Sequence, residues 1–197
     1  MTKIIELKRK LVLASQSPRR QHLLELLGLK FDIIPANIDE DIDYQLKPNE
    51  IAEKLAVDKA QSVARNYTKR AFILGGDTIV VYKDQILNKP KSAADACSML
   101  KLLSGKTHIV YTGFAFVICP EMELVSSCVA TEVSFRDLDE NEIDGYVESG
   151  SPLDKAGAYG IQDDFGAVFV RHIKGCYYNI VGLPLEAVYS TLKLINK

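Results

Sequence analysis

The sequence predicts an α/β fold, a mixed β-sheet with flanking helices, and three observations carry that prediction. Of the 197 residues, 47% are apolar and 25% charged, the composition of a packed globular chain rather than a disordered one. Short apolar runs alternate with stretches whose apolar residues recur at helical spacing, the pattern of strand–helix units. Two long apolar runs, residues 108–119 and 124–135, are separated only by a few residues around Pro120-Glu121. So short a connection joins antiparallel strands, and the sheet is therefore mixed rather than purely parallel. The length fits a single domain, residues 1–197, with two lobes around a cleft.

The elements follow in order. Residues 11–14 are a short apolar strand. Ser17 and Pro18 then open a helix, Ser as N-cap and Pro at the first helical position. Leu23, Leu24, Leu26 and Leu27 supply its buried face and Gly28 its end. Residues 31–35 are a second strand, and residues 36–47 a polar loop with four acids. From Pro48 to about Tyr67 the spacing of Ile51, Leu55, Ala56, Ala60 and Val63 predicts a helix. Residues 71–74 are a strand that runs into Gly75-Gly76-Asp77-Thr78 and resumes over 79–82. Lys83-Asp84-Gln85 is a hairpin turn. Ser92, with Asp95 three residues on, begins a helix ending near Gly105. After the two long strands, Asp139 and Glu142 cap a helix through Val147. Residues 149–162 form a Gly-rich loop, 167–173 a strand and 184–195 a closing helix.

Several classes of function are excluded early. The 24 Lys and Arg against 26 Asp and Glu give a net charge of −2, which argues against a bulk nucleic-acid binder or a polybasic membrane protein. No run reaches the roughly 18 to 20 apolar residues of a membrane helix. The N-terminus is charged where a signal peptide is apolar, so a cytoplasmic protein without nucleic-acid or membrane partners is expected. Cys97, Cys119, Cys128 and Cys176 make no C-x-x-C pair and lie apart from His22, His108 and His172. Zinc, haem and iron–sulfur spacings are therefore absent, as is any Ser-His-Asp arrangement.

Five sets of residues are able to carry chemistry. Ser15-Gln16-Ser17-Pro18-Arg19-Arg20 lies at a strand end and opens a helix, where free N–H groups, the helix dipole, two hydroxyls and two guanidinium forks favour a phosphate. The bland alternative is a capped surface helix. Asp77, in Gly75-Gly76-Asp77-Thr78, is an acid inside an apolar run, costly to bury unless paired or metal-bound. Asp39, Glu40, Asp41 and Asp43 offer hard oxygen ligands of the kind Mg²⁺ takes, or else a solvated acidic loop. Lys59, on the face of Leu55, Ala56 and Val63, points inward; Lys89 and Lys155 sit in loops. Gln162, on a Gly-rich loop, carries the paired donor and acceptor that read a base edge. Together, cations, a helix N-terminus and acids at strand ends fit a polyphosphate carried on a metal.

Ala14 to Arg20, Asp39-Glu40, Leu55 to Ala60, Gly76-Asp77-Thr78, Asn88-Lys89-Pro90, Asp154 to Gln162 and Tyr178 to Pro184 occur in one order along nearly the whole chain. In that order they resemble the Maf family. The resemblance implies nucleoside triphosphate pyrophosphatases that cleave between the α- and β-phosphates. It also implies an elongated inosine-triphosphatase-like fold with a central cleft, a divalent cation (Mg²⁺ or Mn²⁺), a cytoplasmic location and a homodimer. Residue by residue, Asp77 matches the proton acceptor, and Ser15, Arg20, Glu40, Lys59 and Lys89 match residues that handle phosphate and metal. Glu40 and Asp77 are the implied metal ligands, and Ser17 joins Ser15 and Arg20 on the phosphates. Arg19, Thr78 and Gln162 match the positions that separate subfamilies, and here carry the set of the dTTP/UTP-type branch. Two departures stand out: Gly76 replaces the common Ala, and Asp163-Asp164 follow Gln162. Competing readings are a nucleotide-binding regulator of cell division without turnover and a broad house-cleaning pyrophosphatase for inosine or xanthosine triphosphates.

Overall fold

Helix caps and apolar runs set the elements of the computed structural model, which describes residues 5–39, 41–162 and 165–197. In chain order they are β1 (Lys10–Leu13), α1 (Pro18–Leu26), β2 (Phe31–Ile33), α2 (Pro48–Ala64), β3 (Ala71–Tyr82), β4 (Gln85–Leu87), α3 (Ala93–Leu103), β5 (Thr107–Cys119), β6 (Glu123–Phe135), α4 (Glu140–Glu148), β7 (Val170–Lys174), α5 (Tyr177–Val181) and α6 (Leu185–Ile195). Ser17 caps α1 by accepting from the Arg20 N–H, with Pro18 in its first turn. Ser92 caps α3 through the Asp95 N–H. Asp139 and Glu142 form a reciprocal capping box on α4. Each cap satisfies N–H groups that the first helical turn otherwise leaves orphaned.

The sheet is mixed, as expected. Its order is β2-β1-β3-β5-β6-β7, with β4 paired to β3. β1 is parallel to β2 and β3, whereas β4 is antiparallel to β3 and β7 to β6. Tyr82 pairs with Gln85, so the predicted turn is two residues, Lys83 and Asp84, at φ 47° and 65°. Positive φ at both positions is what a tight hairpin with right-twisted strands requires.

The chain divides into two compact units. The first takes the residues up to Asp77, Thr112–Val129 and Gly182 onward; the second takes Thr78–Tyr111 and Ala130–Val181. In the first, Val12, Ala56, Ala60, Ile73, Ala115 and Val117 belong to one apolar cluster. Small residues dominate it because a helix lies directly on the strands. A Cβ added at Gly75 would stand 2.2 Å from the Ala56 carbonyl oxygen, and one at Gly113 2.1 Å from that of Ala52. α2 therefore meets β3 and β5 backbone to backbone. The second unit packs larger side chains, among them Leu100, Leu103, Phe135, Tyr146, Tyr159 and Phe169.

Three expectations are corrected. Leu23 and Leu24 of α1 are buried, but Leu26, expected on the same face, is exposed. Residues 167–173 are not one strand: a short 3-10 helix, Phe165–Phe169, precedes β7. Phe169 is buried while Val168 is half exposed, and Phe169 takes edge contacts from Tyr146 and Phe165. An apolar run of that length does not distinguish strand from tight helix. The Gly-rich loop 149–162 likewise holds two 3-10 turns, Ser151–Asp154 and Ala156–Ala158. No helix among the described residues is long and apolar enough to cross a membrane.

Candidate active site

In the first unit, β1 ends at Leu13 and the chain turns at Ser15 into α1. Ser15 is buried, and its Oγ accepts from the Ser17 N–H at 3.2 Å and from Arg20 Nη1 at 3.3 Å. Arg20 Nε donates to the Gly182 carbonyl at 2.9 Å, and its backbone N–H donates to Ser17 Oγ at 3.4 Å. The Arg20 side chain is thus held from two sides while its fork remains at the helix N-terminus. Ser15, Ser17 and Arg20 are brought together as expected, and Arg19 is half buried beside them in sequence.

Asp77 lies on β3 two residues past Gly75, on the same face of the strand. That is the face on which α2 sits. Lys59 of α2 donates from Nζ to Asp77 Oδ1 at 2.5 Å, and each side chain retains only 10% of its exposure. The backbone contact at Gly75 is what lets Lys59 reach a strand acid with most of its stem buried. The two groups meet along β3: a Cβ at Gly76, the residue before Asp77, would stand 3.3 Å from Arg20 Nε.

In the second unit, Thr78 is half buried and Lys89 exposed. The Gly157 N–H donates to the Asn88 carbonyl at 3.3 Å, which ties the loop 154–162 to the residue before Lys89. Gly157 has φ +70°, and a Cβ there would stand 2.9 Å from Val80, so both conformation and space call for glycine. Lys155 is buried, its ammonium donating to Ser151 O at 2.6 Å, Ser151 Oγ at 3.0 Å and Asp154 Oδ1 at 3.0 Å. These bonds fold the loop on itself. Gln162 is half buried, and its Nε2 is a buried donor without a partner among the described residues. Leaving such a donor unmade costs about 1–3 kcal/mol.

Sequence reasoning missed three contributors. Gly182 orients Arg20 through its carbonyl. Asn179, fully buried, donates to the Val110 carbonyl and Thr131 Oγ1, each at 3.0 Å. His108, placed by sequence as a strand residue only, bonds Tyr159. The motif running from Tyr178 to Pro184 was the available signal for the first two, since it had no assigned chemistry.

Glu40, Asp163 and Asp164 lie outside the described residues. Asp39, Asp41 and Asp43 are exposed, and Asp43 Oδ1 accepts from the Gln45 N–H at 3.0 Å. No group of three His, Cys, Asp or Glu side chains is placed to hold a metal among the described residues. The donor chemistry still fits Mg²⁺ or Mn²⁺. Asp77 uses Oδ1 for Lys59 and keeps Oδ2, and such ions bind one or two carboxylates plus substrate phosphates and water.

A sequence profile of the Maf-like protein family matches residues 10–195. A dTTP/UTP pyrophosphatase of Bacillus cereus (strain AH820) is 50% identical over 188 residues, covering 95% of this chain and 96% of the relative. A dTTP/UTP pyrophosphatase of Bacillus anthracis matches at the same identity and coverage. Among solved structures, a HAM1 protein from Coxiella burnetii superposes with a TM-score of 0.52 at 16% identity, covering 94% of this chain and 99% of that one. That likeness concerns the fold alone.

Proposed function

Because the chain belongs to the Maf-like family, we propose that it is a nucleoside triphosphate pyrophosphatase that prefers dTTP and UTP. Water attacks the α-phosphorus in line, the bond from that phosphorus to the α–β bridging oxygen breaks, and nucleoside monophosphate and pyrophosphate leave. The observation that carries the reading is the buried Lys59–Asp77 pair beside Ser15, Ser17 and Arg20 at the N-terminus of α1. Simple nucleotide binding needs only the second; the first supports a reading in which a positioned carboxylate takes a proton.

In this mechanism Asp77 takes the proton of the attacking water, and Lys59 aims the carboxylate. Ser15, Ser17, Arg20 and the α1 N-terminus hold phosphate oxygens, and Arg20 and Lys89 stabilise charge gathering on the leaving pyrophosphate. A divalent cation held by Asp77 and Glu40 would neutralise the phosphates. Gln162, with its unpartnered amide donor, reads the base, while Arg19 and Thr78 complete the specificity set. Uracil and thymine share the O2, N3–H and O4 edge, so one amide serves both. A guanine edge presents two donors and suits a carboxylate better. The proposal includes a homodimer, which light scattering reads directly.

The test is pyrophosphate release from a panel of nucleoside triphosphates with Mg²⁺ or Mn²⁺. UTP and dTTP are expected to lead, with CTP and purine triphosphates clearly behind, and EDTA is expected to abolish turnover without unfolding the chain. Binding without pyrophosphate release would sustain the regulator instead; preference for ITP or XTP would sustain the house-cleaning enzyme.

A further inference from the structure

Resting on the proposal that Arg20 holds phosphate oxygens, the first unit shows what aims that side chain. A guanidinium carries its N–H donors in a rigid plane, so fixing two of them fixes the direction of the rest. An unanchored arginine stem samples many rotamers, and ordering it at the moment of binding costs affinity. In this chain the ordering is done in advance. Arg20 Nε donates to the Gly182 carbonyl at 2.9 Å and Nη1 to Ser15 Oγ at 3.3 Å. The same stem lies over β3 at Gly76, where an added Cβ would stand 3.3 Å from Nε and 3.5 Å from Cδ.

The backbone of Gly182 is unusual for its place in the chain. A glycine just past a helix is ordinarily a terminator in the left-handed helical conformation. Gly28, Gly105 and Gly150, just past α1, α3 and α4, have φ 65°, 66° and 74°. Gly182 directly follows α5, yet its φ is 128°. That value lies well outside the left-handed helical region, where a residue with a side chain is strained. Helix termination therefore does not account for it. The peptide group is planar, so the dihedrals of residue 182 set where its carbonyl points. That carbonyl is the acceptor for Arg20 Nε. Leu183, next in line, is fully buried, so the chain does not regain the carbonyl's direction by swinging the following residue outward.

We propose that Gly182 is a positioning residue for phosphate binding: its positive-φ backbone turns the carbonyl onto Arg20 Nε and holds the guanidinium ready before the nucleotide arrives. Gly182 touches no substrate; it acts through Arg20.

The test is a double-mutant cycle in the full-length protein, Gly182→Ala against Arg20→Ala, with inorganic pyrophosphate and Mg²⁺ as the probe, calorimetry as the readout and Tm recorded for each variant. Gly182→Ala is expected to raise the pyrophosphate dissociation constant about five- to tenfold where Arg20 is present, and to change it by less than about twofold where Arg20 is already alanine. Equal effects in the two backgrounds, with or without a lowered Tm, make residue 182 merely structural and overturn the proposal. So does the absence of any effect beside Arg20. Where Gly182→Ala does not fold, or Arg20→Ala binds too weakly to measure, ¹⁵N relaxation of the Arg20 Nε–H in the ligand-free wild type decides. Its order parameter is expected close to the roughly 0.85 of rigid backbone, and a value nearer the roughly 0.6 of flexible segments overturns the proposal. Arg20→Ala alone separates the two levels of the argument. If it leaves pyrophosphate affinity within about twofold of wild type, Arg20 does not hold phosphate and that part of the proposed function is itself wrong. If it weakens binding while Gly182→Ala does not, only the positioning proposal fails.

Discussion

Asp77→Asn is the sharpest perturbation of the proposed chemistry, and its two effects separate. The Lys59 ammonium donates to Asp77 Oδ1 at 2.5 Å with both side chains 10% exposed. Removing one partner of a buried ion pair outright costs about 3–5 kcal/mol. Asparagine retains an oxygen that accepts from the ammonium, and a hydrogen bond to a charged donor returns about 1.5–3 kcal/mol. The net destabilisation is then about 2 kcal/mol, against a total of about 5–15 kcal/mol for an ordinary domain, and the variant folds. An amide does not take up the proton of the attacking water, so turnover falls about 10²- to 10⁴-fold, or about 3–5 kcal/mol in the barrier. Pyrophosphate release at saturating UTP measures the second effect and urea unfolding the first. A folded variant within about threefold of wild-type turnover would refute Asp77 as proton acceptor. One that does not fold would refute the claim that asparagine preserves the Lys59 bond.

Two further expectations concern the fold around the site. Gly113→Ala places a Cβ within 2.1 Å of the Ala52 carbonyl oxygen and should lose about 1–3 kcal/mol or more; Gly76→Ala, whose tightest contact is the flexible Arg20 side chain at 3.3 Å, with the Gly113 carbonyl at an ordinary 3.6 Å, should stay within about 0.5 kcal/mol of wild type, and equal urea midpoints for the two would contradict the backbone contact. Burial lowers the His108 pKa from 6.5 to about 4, so the unfolded chain binds that proton more readily than the folded one. The associated stability is whole well above pH 6.5 and is lost as pH falls toward 4, by about 3 kcal/mol; wild type should lose about that much stability relative to His108→Phe over that window in urea unfolding, and parallel pH curves would refute the assignment.

Much of the fold was legible because its signals are local. Ser17-Pro18, Ser92 with Asp95, and Asp139 with Glu142 each declare a helix start through side-chain chemistry that needs no tertiary context. The inward placement of Lys59 was legible for the same reason, since helical periodicity assigns its face. What failed was whatever depends on a distant partner. The run Ala167-Val168-Phe169 reads as strand until Tyr146 is known to stand over Phe169. The helix α5 was overlooked because Tyr177 and Tyr178 are exposed and give no apolar stripe. His108 has the apolar neighbours of an ordinary strand residue, and only the fold brings the Tyr159 hydroxyl to its ring.

The two glycines before Asp77 show how far a motif carries without coordinates. Read from sequence, Gly75-Gly76 permits either close backbone approach or unusual dihedrals, with nothing to tell the two residues apart. In the structure their roles differ. Gly75 has no positive φ, so close approach is its whole function: any side chain there would strike the backbone at Ala56 and the Ala60 N–H, lift α2 off β3 and draw Lys59 away from Asp77. Gly75 thus shapes the Lys59–Asp77 pair although it contributes no atom to it. Gly76 instead borders Arg20, and an alanine there needs only a small shift of a flexible side chain. The exchange of the common Ala for Gly at this position consequently changes the clearance of the Arg20 side chain. It leaves the Lys59–Asp77 geometry alone, because that geometry is set one residue earlier, from the side of α2.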